Sequence, residues 1–248
     1  MIPVTDEGFI RGDGVFEVMR VYDGVPFALA EHLARLERSA TNLRLGWSAT
    51  KAELEEDVAR ILEARGGSAF DGCLRLILTR GGRRLAMTEQ LPPTPPTARL
   101  AIVTFSPSRI LDGVKSLSYA ANMLGGRIAK ERGFDEALFV TPHGRVLEAP
   151  TSTIFWVAED GVLATPPLDE HILASITRAY VLELTGAEER VCTQEELMRT
   201  SEAFLASTTR EVQPVSAIEE LELEAPGERT RTAADELTAR IREVVATA

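Results

Sequence analysis

Strand-like and helix-like periodicities run through this chain in two rounds with a short break between them, and that arrangement limits the fold more than any single residue does. In the first round, residues 15–21 are a β-rich run, Asp23-Gly24 signals a turn, and 25–29 continue the strand pattern. Residues 31–45 then carry Leu33, Leu36, Ala40 and Leu43 on one helical stripe. A second helix is predicted over 52–65, with Leu54, Val58, Ile61 and Leu62 inward, and Gly66-Gly67 stop it. Strands are expected near 73–79 and 98–105, flanking a stretch, 91–97, whose four prolines read as extended loop.

The break falls at 106–113, which contains Pro107 and closes on Asp112-Gly113. After it the pattern restarts. A helix is predicted over 118–132, and short runs at 136–141, 146–148, 153–158 and 162–164 read as a β-meander. A helix starts near 175–177 and ends at Gly186, and Thr193 with Glu196 forms a capping box. A strand covers 203–207, and an amphipathic helix covers 229–245. The class is α+β, with a smaller N-terminal α/β domain at 1–105, a linker at 106–112, and a larger C-terminal domain at 113–248.

At 248 residues and 44% apolar content the core can be large. The formal net charge of −11 disfavours nucleic-acid and anionic-membrane partners. No apolar run approaches the roughly 18 residues of a membrane helix, and the start lacks a signal-peptide pattern, so a cytoplasmic location is expected. Cys73 and Cys192 make no CxxC pair, and His32, His143 and His171 lack metal spacing, so no metal site is expected. Gly12-Asp13-Gly14 is too short for a dinucleotide fingerprint, and no Walker loop is present.

Several residues could carry chemistry, each with a bland alternative. Lys115, among apolar neighbours in Gly113-Val114-Lys115-Ser116-Leu117, could be a desolvated nucleophilic amine or a solvated surface lysine. Glu148, at the end of a short apolar run, could serve a cationic partner or sit at a strand edge. Arg35 flanks the stripe of the first long helix and could hold an anion, although Arg38 and Arg44 share that helix. Ile176-Thr177 opens a helix, and Ser207-Thr208-Thr209 follows a strand; either could bind phosphate or merely cap.

The order of the motifs carries more. Gly12-Asp13-Gly14-Val15-Phe16-Glu17 is followed by His32-Leu33-Ala34-Arg35-Leu36. Then come Lys115-Ser116-Leu117-Ser118-Tyr119, Gly144-Arg145-Val146-Leu147-Glu148 with Thr153-Ile154-Phe155-Trp156, Ile176-Thr177-Arg178, and Ser207-Thr208-Thr209-Arg210-Glu211-Val212-Gln213-Pro214-Val215. This succession spans almost the whole chain and resembles the class IV aminotransferases, the fold-type-IV pyridoxal 5′-phosphate enzymes. The resemblance implies a two-domain fold like that of D-amino acid aminotransferase, and a homodimer. It implies Lys115 as the lysine joined to the cofactor and as the proton shuttle, and Glu148 as the partner of the pyridine nitrogen. Arg35, Ile176, Thr177, Thr208 and Ser207 would hold the phosphate, with Tyr119 near the phenolic oxygen. Phe16 would be a pocket wall and Thr209 a substrate contact; the reader of the substrate carboxylate is the role the resemblance transfers least, and Arg83 or Arg84, after Thr79-Arg80-Gly81-Gly82, is the candidate for it. The reaction implied is transamination of a branched-chain or similar amino acid with a 2-oxo acid. The alternatives are 4-amino-4-deoxychorismate lysis and D-amino acid or R-amine transamination. Two departures stand out: Ala174-Ser175 replaces the usual glycine-containing pair before Ile-Thr-Arg, and the segment between Phe105 and Lys115 is short.

Overall fold

Gly14–Tyr22 (β1) forms a nine-residue strand because residues of opposite parity have different places to go. Val15, Met19 and Val21 are buried against helices, and the other parity carries Phe16 on the opposite face. The computed structural model describes residues 2–46 and 49–247. They form two compact units, one made of residues 2–46, 49–93, 113–119 and 241–247, the other of 94–112 and 120–240.

In the first unit, Glu7–Arg11 (α1) leads into β1, which is flanked by Val25–Pro26 (β2) and Gly72–Thr79 (β3); Arg84–Glu89 (β4) completes an antiparallel sheet of order β2-β1-β3-β4. Leu29–Asn42 (α2) and Lys51–Ala64 (α3) cover one face, burying Leu33, Leu36, Ala40, Leu54, Val58 and Leu62 against Val15, Met19, Leu74, Leu76 and Leu78. Fully burying one such side chain contributes about 1.5–3 kcal/mol. The strand expected to run on to residue 29 stops at Pro26, which has no N–H to donate, and Ala28 turns left-handed (φ 55°) to start α2. β4 was not expected. It is an edge strand with no buried residue, so it lacks the apolar alternation that marks a half-buried one.

In the second unit Ala98–Thr104 (β5), Glu136–Val140 (β6), Thr153–Val157 (β7), Leu163–Thr165 (β8), Glu188–Glu189 (β9), Ala203–Ser207 (β10), Glu211–Ile218 (β11) and Leu221–Glu222 (β12) form a mixed sheet of order β6-β5-β11-β10-β7-β8-β9, with β12 on β11. The helices are Ala120–Glu131 (α4), Ile176–Thr185 (α5), Gln194–Leu197 (α6) and Glu228–Ala246 (α7), whose last turns belong to the first unit. The meander expected over 136–164 forms only in part: β7 and β8 pair as an antiparallel hairpin, and 139–141 bonds back to 145–148, but β6 and β7 are not neighbours. β6 lies at the sheet edge beside its parallel partner β5, β7 pairs with β10 on its other side, and the segment around Val146 folds back onto 139–141 through a bridge and backbone hydrogen bonds. β11 was also missed, because Pro214 sits within it and the register shifts between Val215 and Ala217. Gly125 lets α4 approach the sheet: a Cβ there would fall 2.4 Å from the Phe139 ring.

The division differs from the expected cut at 105–113. β5 pairs in parallel with β6 and β11, so it belongs to the larger sheet. Residues 113–119 return to the first unit, where Ser116 bridges Val15. Parallel pairing between distant segments leaves no local mark on the sequence.

Candidate active site

In the first unit Lys115 is clamped through its main chain before its side chain does anything. Its carbonyl accepts from the Phe16 N–H at 3.1 Å, its N–H donates to Ser39 Oγ on α2 at 3.1 Å, and Leu117 N–H donates to Gly14. The side chain leaves between two aromatic rings: Nζ lies 4.6 Å from the centre of the Phe16 ring and 5.7 Å from that of Tyr119, and the two rings meet edge to face at 5.2 Å. The chain has three lysines. Lys51 and Lys130 are exposed on α3 and α4, whereas Lys115 is half-buried. Lys115 is therefore the one whose amine has a built, partly apolar environment.

One helical turn before Ser39, Arg35 is buried and donates through Nε and Nη2 to both oxygens of Glu17, at 2.7 and 2.6 Å. His32 meets the same carboxylate at 2.7 Å. Glu17 is fully buried. Burial alone would raise its carboxyl, but the hydrogen bonds from Arg35 and His32 outweigh that and hold it at about 2. Burial lowers His32 against the pull of Glu17, and the positive charges of Arg35 and Lys115 add to the lowering. The Arg35 plane is thus fixed by an internal carboxylate, one helical turn from the Ser39 that holds the Lys115 main chain, a tie the motifs alone do not reveal.

The arginines proposed to read a substrate carboxylate sit elsewhere. Arg84 points to the helix-covered face and pairs with Asp57 of α3, and Arg83 is exposed in the turn before β4. Side chains on a strand alternate between faces, and in this register Arg84 shares the face of Leu78 and Val15. Arg75, which the sequence reading passed over, lies on the face of Phe16, its Cζ 5.5 Å from that ring's centre, and forms a two-pronged ion pair with Glu89.

The second unit gathers its candidates at one end of the sheet. Glu148 is half-buried, and its Oε1 accepts from the Leu173 N–H at 3.1 Å, so the segment leading into α5 runs past it. A tight turn, with Ala149 and Ser152 exchanging backbone hydrogen bonds, carries the chain from Glu148 into β7. Thr153 there stands opposite Ala206, next to Ser207 at the end of β10. Ser207 Oγ accepts from the Arg210 N–H, and Arg210 is held by Glu136 and Gln213, which fixes the turn containing Thr208 and Thr209. At α5, Ser175 accepts from the Arg178 N–H, and Ile176 and Thr177 are buried in the first turn. Ser175 thus caps the helix where the family usually has glycine.

The comparisons with known proteins agree on the family. A model of the family "Amino-transferase class IV" matches residues 14–218. The chain belongs to the class IV aminotransferases. A protein of Methanocaldococcus jannaschii, provisionally named a branched-chain-amino-acid aminotransferase, is 34% identical, the match covering 88% of this chain and 83% of that one. A D-alanine aminotransferase of Bacillus licheniformis is 33% identical with the same coverage. A fold IV-transaminase from Curtobacterium pusillum superposes with a TM-score of 0.86 at 32% identity, covering 97% of this chain and 91% of that one.

Class IV aminotransferases work with pyridoxal 5′-phosphate. The donor types suit such a group: an amine for an aldehyde, a carboxylate for a ring nitrogen, and helix-terminal N–H groups with hydroxyls for a phosphate. The second unit also has hydrogen-bonding capacity to spare, since Ser152 Oγ and Thr153 Oγ1 are buried without a partner. Among the described residues no His, Cys, Asp or Glu cluster could hold a metal, and no helix is long and apolar enough to cross a membrane.

Proposed function

We propose that this class IV aminotransferase moves the amino group between an α-amino acid with an apolar, branched-chain-like side chain and a 2-oxo acid. The observation that carries the reading is Lys115, fixed by its main chain and held by its side chain against Phe16 and Tyr119. When bound, pyridoxal phosphate supplies an aldehyde for amines and a ring that spreads the electron pair left when the α-proton departs. Lys115 anchors the cofactor and, as a neutral amine, takes and returns the proton at the substrate α-carbon. Glu148 holds a proton on the ring nitrogen. The N–H groups of Ile176 and Thr177, with Ser207, Thr208 and Arg35, bind the phosphate, the Arg35 charge being balanced by Glu17. Tyr119 sits toward the phenolic oxygen, Phe16 walls the substrate side chain, and Thr209 faces the substrate from the turn after β10.

The functional unit is a homodimer in this reading. Its support is the apolar surface the single chain leaves in water, including Phe9 and Ile10 on α1, 66% and 54% exposed.

The test is a half-reaction panel. Purified protein loaded with cofactor is mixed with L- and D-amino acids and with aminodeoxychorismate. Conversion of the visible chromophore by L-valine or a similar amino acid is expected, and Lys115→Ala should abolish it. Pyruvate release from aminodeoxychorismate without that conversion would replace this reading with the lyase. Conversion by D-alanine alone would move it to D-amino acids.

A further inference from the structure

We propose that Glu89 is a specificity-determining residue, an internal carboxylate that occupies the Arg75 fork and so disfavours substrates carrying a second carboxylate. The proposal rests on the aminotransferase reading above. Arg75 and Lys115 are cations against the same ring, at 5.5 and 4.6 Å from the Phe16 centre. A guanidinium that shares an aromatic ring with the reacting amine would draw the second carboxylate of a dicarboxylic acid toward it. In this chain that fork is already filled: Arg75 Nε reaches Glu89 Oε1 at 2.5 Å, and Nη2 reaches Oε2 at 2.9 Å.

The strands fix this pairing. Arg75 stands opposite Met87, and Glu89 opposite Cys73, so the two side chains are diagonal neighbours on the Phe16 face. Both remain partly exposed, 28% and 38%, so a ligand can reach them. The hydrogen bond from Arg75 lowers the Glu89 carboxyl despite its partial burial, which keeps it charged and competing near neutral pH. Because Glu89 is tethered to the sheet, its effective concentration at Arg75 exceeds that of any free acid. A dicarboxylate must displace it and then lie beside a second negative charge. A monocarboxylate with an apolar side chain leaves the pair intact and packs on Phe16. Discrimination here works by an added repulsion, without a pocket shaped for the favoured substrate.

The test compares pyruvate and 2-oxoglutarate as amino acceptors for the amino form of the holoenzyme, in wild type, Glu89→Gln and the double variant Arg75→Gln/Glu89→Gln. Glu89→Gln should raise the ratio of the 2-oxoglutarate rate to the pyruvate rate by about tenfold or more, as expected when a charged fork is released, and the double variant should lose that gain. Glutarate, which cannot react, should bind Glu89→Gln holoenzyme more tightly by a similar factor in calorimetry. An unchanged ratio with unchanged glutarate affinity would overturn the proposal, while amino transfer to pyruvate would leave the functional reading standing. Failure of the wild type to aminate either acid would overturn both.

Discussion

Glu17 is a carboxylate without exposed surface, kept ionised by a guanidinium and an imidazole. A group whose pKa is lower folded than unfolded adds stability above its unfolded value and loses it as pH falls through the folded one. For Glu17 that window runs from the ordinary carboxyl value of 4.5 down to about 2, and the linked stability is on the order of 3 kcal/mol. His32 is also lowered, so its contribution begins to fall once pH drops below 6.5. Urea midpoints measured against pH should therefore decline as pH falls below 6.5 in the wild type, and Glu17→Gln should lose the part of that decline below pH 4.5 while being less stable at neutral pH. An identical acid slope in both proteins would show that the triad is not the acid-sensitive element. Glu148→Gln should keep the cofactor yet lower turnover by about 10²-fold or more, and near-wild-type turnover would rule out its role at the ring nitrogen. Lys115, Glu148 and Arg35 were legible as candidates because their motifs come in a recognisable order. Arg75 was not: it stands inside an apolar strand, and its partner is 14 residues away on a strand the pattern did not mark.

Among the elements, α5 shows how local sequence prepares a site. Ser175 caps the helix, Gly186 ends it in the left-handed region at φ 64°, and both boundaries could be read from the chain. Ser175→Ala should cost about 1 kcal/mol of stability and weaken cofactor affinity, measured by thermal unfolding and by titration with pyridoxal phosphate. An unchanged affinity would separate the cap from the phosphate end. At α4, Gly125→Val should destabilise by about 1–3 kcal/mol, because the added carbons collide with the Phe139 ring. The longer helices, the Thr193–Glu196 capping box and most buried strands announced themselves by period and punctuation, whereas the five-residue α1 and the Thr50–Glu53 box were passed over. β4, β11 and the true neighbours of β6 did not, since edge exposure, an internal proline and long-range parallel pairing break those signals.

For the whole molecule, the break in the sequence pattern near residue 110 was visible, but the assignment of what flanks it was not. β5 crosses to the larger sheet, and the Lys115 segment returns to the smaller one. The exposed Phe9 and Ile10 lead to a prediction at this scale: light scattering should give a dimer mass, and Phe9→Asp/Ile10→Asp should shift it toward the monomer. A monomeric wild type would refute the dimer. The most direct test of the whole account is to find where the coenzyme attaches. Holoprotein reduced with borohydride and digested should carry the phosphopyridoxyl mass on Lys115 alone. A label on Lys51 or Lys130, or none on any lysine, would contradict the account.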